Sequence, residues 1–362
     1  MPTLPDQRDA YAEEIRRVYA DAEQRLIEKV KKRLDKGLER PGWVESMLAQ
    51  VHQVNNELSG EVGTLKDTDP RVEEILSRVY DDGAVDASDG LTVKAKALGQ
   101  APYSLGSVEA DLTIVRGAAI RQLVAATVNV LDSTHFAVLR NAQDTYRSTI
   151  AQVTEQMAAG GLTPREAAQV ALNRWADQGV TGFTDSAGRK WELSSYADMA
   201  IRSAMAQAAV QGHLDKLQAY DEDLVICSDS PEECELCRPW EGKVLSISGA
   251  WGHPSVSEAI AAGLFHPNCS HNLYLYTEGL TRPMQNTANP QGYANRQRQR
   301  ANERQIRRWK RREAAAITDR DSALSHAKVR EWQAKQRELI SRTGRLREYG
   351  REQVRTGKVG VE

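Results

Sequence analysis

Apolar residues return at intervals of three and four along most of the chain, and that period predicts helix as the dominant element. In residues 6–36, Tyr11, Ile15, Val18, Ala22, Leu26 and Val30 share one helical face. Asp6 can cap this helix, Lys31, Lys32, Arg33 and Lys36 suit the negative end of its dipole, and Gly37 and Pro41-Gly42 stop it. Further helices are predicted near 43–58 and 70–80, after which the Gly-, Ala- and Asp-rich stretch 81–107 reads as a loop or boundary. Residues 108–157 contain no proline and predict another helix, broken by Gly160-Gly161. Thr163-Pro164-Arg165-Glu166 is a start signal, with Thr as N-cap, Pro at the first helical position and Glu at the third. The helix it opens turns Ala167, Val170, Ala171 and Trp175 inward and ends at Gly179. Two short extended pieces, 180–184 and 189–193, flank a tight turn at 185–188. Ser194 or Ser195 then caps a helix to about Gln211, whose Ala204, Ala206, Ala208 and Ala209 let a neighbour approach closely.

The period changes after Tyr220. Residues 224–227 and 243–247 are candidate strands among cysteines, prolines, glycines, Trp240 and Trp251, so 221–277 reads as a small α+β module. Residues 283–292 form a linker, and helix resumes from about 295 to 353 with an interruption at 318–321. A straight tail of that length would reach roughly 80–90 Å. The predicted fold class is mostly α: an elongated helical body, a small α+β Cys/His module and a long basic helical C-terminal tail. The expected regions are an N-terminal helical part (1–100), a central helical domain (101–220), the module (221–282) and the linker with its tail (283–362).

Composition sharpens this picture. The 362 residues are 40% hydrophobic, and the mean hydropathy of −0.56 indicates much surface for the mass. No apolar run approaches the roughly 18 residues of a membrane span, and Met1 to Arg8 lacks the basic-then-apolar order of a signal peptide, so no membrane partner is expected. The net charge of −2 hides a segregation: residues 291–362 hold 20 Lys and Arg against 9 Asp and Glu. A basic appendage on an acidic body suits a polyanion or an acidic protein face.

All four cysteines fall between Cys227 and Cys269, a clustering that reads as a metal site more readily than as a disulfide framework. Cys234-x-x-Cys237 can place two thiolates on adjacent corners of a tetrahedron, and His266-Pro267-Asn268-Cys269-Ser270-His271 offers the second pair. His266 and His271 compete for the fourth position, and zinc is the expected ion. The competing reading is that the cysteines are small buried residues packed with Trp240 and Trp251. Catalytic signatures are missing: no His-x-Glu precedes the CxxC, and there is no GxSxG, HExxH or phosphate loop. The second candidate site is cationic: Arg296, Arg298, Arg300, Arg304, Arg307, Arg308, Lys310, Arg311 and Arg312 lie within 17 residues around Trp309. Clustered arginines can neutralise phosphates in a salt-sensitive, sequence-independent way, or dock on an acidic protein.

Several passages together carry a resemblance. Gly188-Arg189-Lys190-Trp191-Glu192-Leu193 with Tyr196 to Arg202 resembles a passage of the phage minor capsid protein 2 family. Cys234 through Lys243-Val244 and His266 through His271 resemble that family's Cys/Trp/Gly-Lys-Val and Asn-Cys-x-His signatures. The same residues are similar to the CxxC and HPNC features of Mu F-type head morphogenesis proteins. The tail from Tyr293 to Gln333, with Glu303-Arg304, Arg307 and Lys310-Arg311, is similar to the family's basic ending. The resemblance implies a non-enzymatic, low-copy structural protein of a tailed-phage head. Its implied partners are the portal protein, the major capsid or scaffolding protein, and packaged DNA. It implies a place inside the virion near the portal vertex, after assembly in the host cytoplasm. The alternative is a hydrolase or transferase module at 221–282 fused to a capsid-targeting helical region.

Overall fold

The computed structural model describes residues 4–101, 108–159, 162–178, 183–184, 190–250, 252–266, 269–282 and 287–354. The chain is mostly helical, with α1 (Leu4–Asp35), α2 (Trp43–Ala49), α3 (Val51–Gly63), α4 (Asp69–Ala97), α5 (Val108–Ala159) and α6 (Pro164–Gln178). Strands β1 (Phe183–Thr184) and β2 (Lys190–Trp191) form an antiparallel pair, and the turn expected between them lies outside the described residues. There follow α7 (Leu193–Gln218), β3 (Leu224–Cys227), β4 (Val244–Ser246), α8 (Val256–Ala261), β5 (Leu273–Leu275), α9 (Pro290–Ala315) and α10 (Asp319–Thr343). The chain forms two compact units, each assembled from three separate stretches. One comprises residues 1–12, 69–129 and 199–294; the other comprises 13–68, 130–198 and 295–362.

In the first unit, β3 is the centre of a three-stranded antiparallel sheet of order β4-β3-β5. The register pairs Ile226 with Val244 and Cys227 with Leu273. The loop leaving β3 and the loop entering β5 therefore meet at one end of the sheet. Behind it, Val225, Leu245 and Leu273 pack with Val256, Ala259 and Leu264, and with Ala87, Leu91, Leu214 and Leu217 from α4 and α7. Ser255 and Glu258 close a reciprocal capping box on α8.

Residues 81–97 are helical, which corrects the loop expected there. The glycines that suggest a break serve a close approach instead. A Cβ on Gly83 would stand 2.1 Å from the Ala209 carbonyl oxygen, and one on Gly212 would stand 2.0 Å from that of Tyr80. Only glycine lets α4 and α7 come so near. Within α5, residues 112–156 include a window long and apolar enough to cross a membrane by length and composition alone, a test that the core helix of a soluble protein also passes. Ile114 and Val115 on this helix are exposed, while Arg116 donates to both carboxylate oxygens of Asp81 at 2.5 and 2.7 Å.

In the second unit the expected face of α1 holds for Ile15, Ala22, Leu26 and Val30, but Val18 is exposed. Tyr19 takes the inward position, its hydroxyl 2.8 Å from His135 Nε2 on α5. The cap at Thr163 forms as expected: Glu166 N donates to Thr163 Oγ1 at 3.2 Å, and Thr163 N donates to Glu166 Oε2 at 2.9 Å. Neither Ser194 nor Ser195 caps α7, which already begins at Leu193.

The tail is not one straight rod. Helix α9 stops at Ala315, and Gln169 Oε1 accepts from the backbone of Ile317 at 2.6 Å and of Thr318 at 3.2 Å. Thr318 then caps α10 by accepting from Asp321 N at 3.1 Å. The chain folds back, so that Asn302 donates to Gln336 at 3.0 Å and Gln299 donates to the Leu346 carbonyl at 3.0 Å.

Candidate metal centre and the basic helix

Cys234 and Cys237 stand on the loop leaving β3, in a tight turn where Cys237 N and Arg238 N both donate to the Cys234 carbonyl, at 3.2 and 3.1 Å. His266, Cys269 and His271 stand on the loop entering β5, with Cys269 N donating to the His266 carbonyl at 2.9 Å. Pro267, Asn268 and Trp251 lie outside the described residues. The sheet register brings all five expected ligands together. Cys234 Sγ is 2.9 Å from His266 Nε2, Cys237 Sγ is 3.5 Å from Cys269 Sγ, and Cys269 Sγ is 3.3 Å from His271 Nδ1. Two groups of potential ligands result, Cys234–Cys237–His266 and Cys237–Cys269–His271, sharing Cys237.

The surroundings polarise the cluster. His271 Nε2 lies 2.7 Å from Glu241 Oε1, and both side chains are only 2% exposed. Glu241 Oε1 also accepts from Ser230 N at 3.0 Å. The hydrogen bond with Cys237 pushes the Cys269 thiol down to about 4 against the opposition of burial, and His271 adds to the effect. The same bond, with burial, pushes Cys237 up. Burial opposes charge on His271, yet its bonds to Cys269 and Glu241 prevail and raise its pKa. Cys227 behaves differently. It is fully buried, its thiol is pushed up to about 12 chiefly by burial, and its Sγ faces the Ser228 carbonyl at 3.7 Å. It is a core cysteine.

The nine cations of α9 divide into two groups. Arg311 is 1% exposed, pairs with Glu192 at 2.6 Å and donates from Nε to the Ala176 carbonyl at 3.2 Å. Arg307 donates to the Arg351 carbonyl at 2.6 Å, to Ser195 at 3.1 Å and to Glu192 at 3.5 Å. Burial would raise the Glu192 carboxyl, but Arg311 and Arg307 outweigh it and hold it at about 2. Arg308 grips both oxygens of Asp177 at 2.8 Å, and Arg312 pairs with the same carboxylate while lying over the Trp309 ring. Arg307, Arg308, Arg311 and Arg312 thus each hold ion pairs with Glu192 or Asp177. Arg300 pairs with Glu303 at 3.1 Å, Lys310 donates to Gln353 at 2.7 Å, and Arg296 is half-buried with interactions of its own. Arg298 and Arg304 are exposed.

Sequence reasoning missed Glu241, Glu192 and Asp177 as partners. Glu241 lies inside the Trp240-Glu241-Gly242-Lys243 run, four residues beyond the CxxC, where an acid within reach of a ligand loop is the available signal.

A family model described as phage minor capsid protein 2 matches residues 4–341. A structural protein of Lactococcus phage LL-H is 28% identical over 302 residues, covering 76% of this chain and 81% of the relative. A structural protein of Lactococcus phage mv4 is 37% identical over 102 residues, covering 26% of this chain and 82% of the relative. No solved structure matches the chain significantly.

Proposed function

The chain belongs to the phage minor capsid protein 2 family, and from that premise we propose that it is a minor structural protein of a tailed-phage head, held inside the capsid near the portal vertex. The family match across residues 4–341 carries this reading. The relative from phage LL-H, described as a structural protein and aligned over most of both chains, supports it. In this reading the protein docks on the portal and on the major capsid or scaffolding protein. Arg298 and Arg304, the exposed cations of α9, face either packaged DNA or an acidic capsid surface. Purified virions test the proposal. Mass spectrometry should find the chain in particles and crosslink it to the portal protein, and external protease should spare it until the head is opened. A chain found only in the unassembled lysate contradicts the proposal.

One observation favours a second reading. Cys269, His271 and Glu241 line up at 3.3 and 2.7 Å as thiol, imidazole and carboxylate, the order that activates a cysteine nucleophile. Yet Cys237 Sγ, on the loop leaving β3, stands 3.5 Å from the same thiol. Thiols and imidazoles on both loops support coordination of a cation over nucleophilic attack.

A further inference from the structure

We propose that Cys234, Cys237, Cys269 and His271 hold one zinc ion, with His271 binding through Nδ1 and His266 remaining outside the coordination set. A tetrahedral zinc with Zn–S near 2.3 Å and Zn–N near 2.0 Å separates adjacent ligand atoms by roughly 3.5–3.8 Å. The Cys237–Cys269 and Cys269–His271 separations of 3.5 and 3.3 Å already lie close to such edges. Cys237 is common to both ligand groups, and Cys234, its neighbour on the same turn, supplies the fourth donor by turning its thiol from His266 toward an ion beside Cys237.

The choice of His271 follows from the carboxylate behind it. A ligating histidine characteristically gives its other ring N–H to a carboxylate or carbonyl, which fixes the tautomer and makes the bound nitrogen more basic. His271 has that arrangement: buried Glu241 takes Nε2 at 2.7 Å, leaving Nδ1 turned to the thiolates. Its backbone N–H also points at Cys269 Sγ, at 3.4 Å. His266 is only half-buried, and its Nε2 lies 2.9 Å from Cys234 Sγ, a position suited to donating a hydrogen bond to a metal-bound thiolate.

The ion would join the loop leaving β3 to the loop entering β5, locking both flanks of the central strand. Zinc binding displaces the protons of those thiols that are still protonated, which pass to solvent or buffer. The site is structural in kind, because four protein donors leave no open position for substrate.

The test uses the full-length chain and zinc itself. Elemental analysis with native mass spectrometry should find one zinc per chain. Cobalt replacing it should give the tetrahedral d–d bands and strong thiolate charge-transfer absorption of a three-sulfur site. His266→Ala should keep one equivalent, whereas Cys237→Ser and His271→Ala should lose it. Glu241→Gln should bind zinc 10–100-fold more weakly in chelator competition. If His271→Ala fails to fold, His266→Ala and the wild-type cobalt spectrum still decide. Wild-type protein without zinc, or loss of zinc from His266→Ala, overturns the assignment.

Discussion

The loops around β3 and the helix α9 both gather chemically strong side chains, but the two regions leave them in opposite conditions. In α9 four of the nine cations are matched, with Arg307 and Arg311 on Glu192 and Arg308 and Arg312 on Asp177. In the β3 loops, three thiols and two imidazoles converge with one carboxylate behind them, and like groups face one another. A set of donors turned inward, unlike a set of matched charges, is suited to hold a cation. Density of reactive residues in a sequence therefore does not reveal whether they pair with one another or converge as donors.

The sharpest way to break the contrast is to open one of the matched pairs. Glu192→Gln leaves Arg311 buried without its main carboxylate, and removing one member of a buried pair costs about 3–5 kcal/mol. Urea unfolding should show that loss. Acid should reproduce part of it. Glu192 sits at about 2 in the folded chain against an ordinary 4.5, so its stabilisation is complete above pH 4.5 and fades as pH falls toward 2. The loss is at most about 3 kcal/mol, and it should be absent from Glu192→Gln. At the small end, Arg298→Ala with Arg304→Ala should change stability by less than about 0.5 kcal/mol. Any DNA binding by the intact chain should show a log–log salt slope near −2 from these two cations, against about −8 for nine free ones.

Much of the fold was legible because its causes are local. The face of α1, the Thr163 cap and the CxxC turn each depend on residues within a few positions of one another. Gly83 misled because its reason lies in Ala209, on another helix brought near only by folding. The same distance hid the α9 pairs: Arg311 sits 119 residues from Glu192, and composition registers the charge but not its partner. The candidate metal site was readable as two short motifs, while the choice between His266 and His271 required Glu241 to be seen behind one of them. Neither compact unit is a continuous stretch of chain, and a reading made along the chain has no signal for that interleaving.

The proposal that the Cys/His cluster fastens the module through zinc is tested most directly by thiol titration at neutral pH. Cys234, Cys237 and Cys269 should resist alkylation in the native chain and become reactive together when a chelator strips the metal, with buried Cys227 silent until unfolding. A single fast-reacting thiol at Cys269, indifferent to chelator, would contradict it.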